Sequence, residues 1–257
     1  MDFFDSHAHY NDERFRDVRD RLIPEMYDDE ITNLICAGYS MESSKDALIV
    51  AEKFHHVFAT CGISPNDIED GVDSEIDEIE RIAVHKKCVA IGEIGLDYHW
   101  NKENKELQRS VFIKQIDVAN RLGLPIVIHT REAVMDTLEI LKAHPVAKGF
   151  VFHCCPLNQE LIKEGLRLGG YISFSGNVTF KNAKSAGCIK LVPMDRFLIE
   201  TDSPYLAPEP HRGEINTSLF VKYVAMKIAE VKELSLEEVA RASRENAMRV
   251  FGIEKNN

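Results

Sequence analysis

Eight times along the chain, a short apolar, β-branched run gives way to a longer stretch with the 3.6-residue periodicity of an amphipathic helix. The runs are Phe3–His7, Ile31–Ala37, Val57–Ile63, Val89–Ile94, Pro125–His129, Phe150–His153, Tyr171–Phe174 and Phe197–Thr201. Between them, Phe112, Ile116 and Ala119 share one helical face, as do Val134, Leu138 and Leu141, and then Phe220, Val224 and Ile228. Gly123, just before Leu124-Pro125, reads as a helix stop that leads straight into a strand. Ser235-Leu236-Glu237-Glu238 reads as a capping box opening a last helix. Strands alternating with helices imply an α/β fold with a parallel sheet. Eight repeats in 257 residues imply a single (β/α)8 TIM-type barrel, one domain spanning 1–257 with no internal linker.

A barrel of this kind places its chemistry at the C-terminal ends of its strands. Strand one ends in His7-Ala8-His9, strand four in Glu93, strand five in His129, strand six in His153 and strand eight in Asp202. Four histidines and two carboxylates thus gather at one end. Side-chain alternation predicts that Val89 and Ile91, Val127, Val151 and Leu198 face the interior below these residues. The same parity sets Asp5 and Glu200 one layer beneath the ligands. They belong either to a buried polar network or, the reading favoured here, to partners that orient imidazoles. His55, His56, His85 and His144 lie away from this end and read as filler.

A His-x-His pair on a strand end aims two imidazoles the same way, so that both can chelate one cation. Imidazole suits zinc or manganese better than magnesium or calcium. Six ligands exceed what one tetrahedral zinc with an open position uses. They fit two divalent ions (zinc, manganese or magnesium) about 3.5–4 Å apart, sharing a carboxylate. On this reading His7, His9 and Asp202 hold one ion, His129 and His153 the other, and Glu93 bridges. Asp202 is also placed to take the proton of an attacking water, which makes Asp202 and Glu93 the catalytic pair.

Six cysteines with no Cys-x-x-Cys spacing argue for reduced thiols and a cytoplasmic setting. No stretch approaches 18 consecutive apolar residues, and the opening Met1-Asp2-Phe3-Phe4-Asp5 carries no basic leader pattern, so neither a membrane span nor a leader is expected. The formal net charge of −11 disfavours a surface that tracks duplex DNA through many phosphate contacts. It leaves room for a nucleic-acid enzyme whose positive charge is local.

Several stretches resemble the TatD family of metal-dependent deoxyribonucleases: Asp5-Ser6-His7-Ala8-His9, Ile91-Gly92-Glu93-Ile94-Gly95-Leu96-Asp97-Tyr98 and Ile128-His129-Thr130-Arg131. The most specific is Glu200-Thr201-Asp202-Ser203-Pro204-Tyr205-Leu206-Ala207-Pro208, followed by Arg212-Gly213 and Asn216. Asn246 and Arg249-Val250-Phe251 resemble the family's closing helix. The resemblance implies a barrel with two divalent metals on the residues named above, and hydrolysis at DNA ends.

Two departures from the family pattern stand out. The third strand of such proteins usually runs into Gly-x-His-Pro, where this chain has Gly62-Ile63-Ser64-Pro65; a serine cannot replace an imidazole as acid or base near neutral pH, though it can hydrogen-bond a phosphate. After His153 the family usually has Phe-Ser/Thr-Gly, where this chain has Cys154-Cys155-Pro156. Arg131 shares the parity of His129 and points to the pocket, and Arg212 lies in the loop after strand eight; both guanidinium forks match phosphate oxygens. Tyr98, Trp100 and Tyr205 sit in top loops as base-stacking platforms or loop anchors, and Lys181 is a further phosphate candidate. Substrate contacts are therefore expected from Arg131, Arg212, Ser64 and Tyr205. The alternatives are a small-molecule amide or ester hydrolase on the same barrel, or a barrel that binds metal or nucleic acid without turnover.

Overall fold

The computed structural model describes residues 1–69, 71–100 and 102–254. Eight parallel strands run in sequence order around the sheet: β1 (Phe3–Ala8), β2 (Ile31–Ala37), β3 (Val57–Cys61), β4 (Cys88–Asp97), β5 (Ile126–Arg131), β6 (Phe150–Phe152), β7 (Tyr171–Phe174) and β8 (Phe197–Ile199). β8 returns to β1 at the top, where His9 N–H donates to Ser203 O at 2.7 Å and Asp202 N–H to His7 O at 2.9 Å. The helices are α1 (Arg19–Asp29), α2 (Met41–Lys53), α3 (Val72–Ile82), α4 (Lys105–Leu122), α5 (Val134–Ala143), α6 (Gln159–Arg167), α7 (Ser185–Leu191), α8 (Val221–Lys232) and α9 (Leu236–Phe251). The fold is the expected TIM-type barrel.

The local signals act as the sequence suggests. Gly123 ends α4 in the left-handed region at φ 66°, and Ser235 and Glu238 form both halves of the capping box on α9. Strand ends move by one to three residues, β4 running on from Ile94 to Asp97, and two strands stop early where side chains take over the backbone. β3 stops at Cys61 rather than Ile63 because Gly62 N–H donates to Ser44 Oγ and Ile63 N–H to Gln115 Oε1. β8 stops at Ile199 rather than Thr201, whose N–H donates to Asp5 Oδ1 at 2.9 Å.

Two apolar layers hold the barrel. The larger lies between strands and helices. The smaller fills the barrel interior: Phe4, Ile35, Val89, Val127, Val151, Tyr171 and Leu198 meet Ala247, Met248, Val250 and Phe251 of α9. That helix closes the floor, and Asn246 pins it by donating to Met194 O and Phe197 O, each at 2.9 Å. Polar groups are thereby left to the opposite end.

Alternation holds on β5, β6 and β8 and fails on β1 and β4. Phe4 faces the interior and Ser6 reaches Ser173 and the Ile199 carbonyl from there, so Asp5 points outward. Its carboxylate accepts from Thr201 N–H, Thr201 Oγ1 and Ser218 Oγ, the latter two at 2.6 Å. Asp5 is part of a buried network joining β1, β8 and the turn before α8, and it orients no imidazole. Between Asp5 and Ala8 the register with β2 slips, a bulge that re-aims His7. On β4, Ile91 packs in the outer layer, contrary to the parity reading, and the register breaks between Ile91 and Ile94.

Candidate metal centre

Glu93 lies at the middle of the ligand group. Its Oε2 is 3.4 Å from His7 Nε2 and 3.8 Å from His9 Nε2. Its Oε1 is 2.9 Å from His129 Nδ1 and 3.3 Å from His153 Nε2. Asp202 Oδ1 sits 3.3 Å from His9 Nε2 and 3.9 Å from His7 Nε2. The backbone explains how β4 delivers the carboxylate so close to β5. A Cβ on Gly92 would stand 2.7 Å from Val127 Cβ, and one on Gly95, at φ 138°, would collide with the His129 carbonyl oxygen. Only glycines flanking Glu93 permit that approach. Asp202 follows β8 with φ 58°, a left-handed conformation that aspartate tolerates better than most residues.

Whether these residues suit cations can be read from their outer contacts. His9 Nδ1 faces the Ala37 carbonyl at 3.1 Å, which can only accept, so Nδ1 carries the proton and Nε2 a lone pair. His129 Nε2 donates to Asp97 Oδ2 at 3.0 Å, which leaves a lone pair on Nδ1. These lone pairs converge on the Glu93 carboxylate, and His7 and His9 set their Nε2 atoms 3.3 Å apart. Acceptors aimed at acceptors repel unless a cation lies between them, so the donor set fits divalent ions. Among the described residues, two groups sharing Glu93 bring their ligand atoms together: His7, His9 and Glu93, and Glu93, His129 and His153.

Where protons rather than metal ions sit on the imidazoles, burial raises the Glu93 pKa, but the positive charge and hydrogen bonds of His153, His129 and His7 outweigh it and hold the carboxyl well below the usual range. Asp202 is likewise pushed up by burial and drawn below its ordinary value by His9, His153 and His7. Glu200 Oε1 lies 3.4 Å from His153 Nδ1 without hydrogen-bond geometry and accepts Cys154 N–H at 2.6 Å.

The ligands open into a cleft of about 640 Å³ that also holds Tyr39, Ser64, Asn66, Asp67, Asp97, Trp100, Arg131, Cys154, Asn177 and Tyr205. Arg131 is the one lysine or arginine among the described residues lining it, and its guanidinium lies 5.5 Å from the centre of the Trp100 ring. Trp100 is 70% exposed at the rim. Tyr205 lines the cleft with its hydroxyl on Asp12 and Arg14 over its ring. Ser64 lines it too, but donates its hydroxyl hydrogen to Asp67 Oδ2 at 2.5 Å.

Arg212 is placed otherwise than the sequence suggests. It donates to Ala207 O at 2.8 Å and lies 3.9 Å over the Phe180 ring, outside the cleft lining, so it holds the loop after β8. Lys181 is also outside that lining. Tyr98 is a buried anchor, its hydroxyl donating to Asp136 at 2.6 Å. Cys154 and Pro156 of the departing loop form part of the wall. Asp97 is the partner that sequence reasoning left without a role, although it has the parity of Glu93 four residues earlier on one strand.

Comparison with known proteins agrees with this picture. The family model for TatD related DNase matches residues 4–252. The Bacillus subtilis protein named metal-dependent hydrolase YabD is 40% identical over 252 residues, covering 97% of this chain and 99% of that one. The Escherichia coli protein named metal-dependent hydrolase YcfH is 42% identical over 208 residues, 80% of this chain and 77% of its own. The crystal structure of the Escherichia coli TatD homologue YjjV superposes with a TM-score of 0.91 at 24% identity, covering 98% of each chain. With its ligand ring, its barrel and its sequence in accord, the chain belongs to the TatD family.

Proposed function

We propose that this chain is a metal-dependent hydrolase that cleaves phosphodiester bonds in DNA, trimming single-stranded or frayed ends. The division of the Glu93 carboxylate carries the proposal, one oxygen turned to His7 and His9 and the other to His129 and His153. The family match and the names of its relatives support the same reading. Bound between those ligand sets, two divalent cations supply Lewis acidity toward water and phosphate oxygens.

The chain's own groups do the rest. Asp202 is kept ionised at the edge of the ligand ring and takes the proton of the attacking water. Arg131 pairs with the non-bridging oxygens of the phosphate, and Trp100 beside it offers a face to a base. The floor closed by α9 makes the cleft a dead end, which favours a strand terminus over the middle of a duplex. Six unpaired cysteines suit a reducing compartment such as the cytoplasm. No helix among the described residues is long and apolar enough to cross a membrane.

The test is metal-reconstituted protein assayed against end-labelled single-stranded DNA, RNA and a panel of small esters and amides. DNA is the expected substrate. Glu93→Ala and Asp202→Ala are each expected to lower turnover by about 10²–10⁴-fold with circular dichroism unchanged. Retained activity in either variant would place the chemistry elsewhere, and turnover confined to amides or esters would move the protein to small molecules.

A further inference from the structure

We propose that Asp67 is the proton donor to the leaving oxygen of the scissile bond, taking the part that an imidazole at the end of the third strand would play. The inference rests on the phosphodiesterase reading above. After β3 the chain turns through Ser64-Pro65-Asn66-Asp67, closed by Asp67 N–H donating to Ser64 O at 3.0 Å. Ser64 is buried and held by its own N–H on Tyr39 O at 2.7 Å. From that fixed point its hydroxyl donates to Asp67 Oδ2 at 2.5 Å, so it has no hydrogen left for a phosphate. Asn66 ties the turn to the ligand shell by donating to Asp97 Oδ2 at 3.2 Å. The product of these contacts is a carboxyl group with one oxygen engaged. No described residue hydrogen-bonds to its Oδ1 or forms an ion pair with it, and the residue lines the same cleft as Glu93 and His129.

A carboxyl group in such a place is a weaker acid than a free one. Burial raises its pKa, the Ser64 hydroxyl offsets part of that, the Glu93 charge raises it further and His9 draws it back. Its position suits the task. β3 lies three strands from β8 around the barrel, so Asp67 and Asp202 approach the cleft from different sides. An in-line displacement needs its water and its leaving group on opposite sides of phosphorus. The water oxygen bonds to phosphorus while its proton passes to Asp202. The opposite P–O bond breaks, its electron pair leaves with the sugar oxygen, and the Asp67 proton moves onto that oxygen to give an alcohol. Asp202 then loses its proton to solvent and Asp67 regains one.

A proton donor matters for an alkoxide leaving group and not for a stabilised phenolate, so two substrates separate this role from any structural one. On end-labelled single-stranded DNA, Asp67→Asn is expected to lower kcat by about 10²–10⁴-fold, with KM little changed; on bis(para-nitrophenyl) phosphate the loss should stay below about threefold. Ser64→Ala, which removes the hydrogen bond to Asp67 and the acceptor of Asn66 N–H, should cost about tenfold on DNA against less than about threefold on the activated diester. Activity on the activated diester also certifies that each variant is folded. Equal losses on both substrates, or no loss on DNA, would overturn the role of Asp67. Failure of the reconstituted wild type on DNA would instead remove the phosphodiesterase reading, and the proposal with it.

Discussion

Asp97 Oδ2 accepts from His129 Nε2 at 3.0 Å, and this contact decides which nitrogen of His129 faces Glu93. The same carboxylate accepts through Oδ1 from the backbone of His99 and Trp100, so one side chain sets both a ligand and the rim loop. Asp97→Asn is therefore expected to weaken metal binding by about 10–100-fold, the usual cost of removing such a partner. Competition against a chromophoric chelator measures it. Wild-type affinity in the variant would show that the imidazole is oriented by other means.

Substrate should be held by few charges. Arg131 is the one lysine or arginine among the described residues lining the cleft, and the chain carries a net charge of −11. With two or three phosphate contacts to a single strand, the slope of log affinity against log salt should be about −2. Arg131→Ala should weaken DNA binding more than substitution of any exposed lysine. A slope near −8, or efficient nicking of closed circular duplex, would contradict this mode of binding.

Ser64 stands where the family pattern has histidine, beside Asp67 and on the cleft wall. Ser64→His would set an imidazole against that carboxylate. Nuclease turnover is expected to rise, with a new limb in the pH profile near 6–7 from the introduced group. An unchanged rate and profile would show that this position does not reach the reacting atoms.

His56 offers a test of stability away from the site. Its ring is buried, stacked 4.2 Å from Tyr27, and burial together with His55 and Lys87 lowers its pKa from 6.5 to about 4. Folding therefore keeps it neutral while the unfolded chain takes up a proton. Its contribution is complete above about pH 6.5 and is lost as pH falls toward 4, amounting to at most about 3 kcal/mol. In urea titrations, His56→Phe should lose less stability than the wild type between pH 7 and 4.5. Parallel losses would assign the acid sensitivity to other groups.

The ligand ring was legible because strands declare their ends. Val127 below His129, Val151 below His153 and Leu198 below Glu200 all face inward as alternation requires, since β5, β6 and β8 keep a regular pleat there. Alternation could not foresee the slip between Asp5 and Ala8, which turns Asp5 out and His7 in, nor the break after Ile91. A bulge changes the face without changing the residue types that a strand prefers. Loop side chains were harder still. Arg212 and Arg131 look alike as guanidinium groups near a mouth, and only the fold shows one spent on Ala207 and Phe180.

The seal that α9 makes beneath the barrel, with Val250 and Phe251 in one apolar cluster with Val127 and Val151, governs traffic as well as stability. A nucleic-acid chain cannot be drawn through this molecule like thread through an eyelet. Each severed fragment must leave by the door through which the strand came in, before the next residue can advance. Repeated trimming without letting go would need a grip on the remaining strand outside the cleft, and an acidic exterior provides little to hold it. The expected rhythm is bite and release, with short and intermediate products accumulating together.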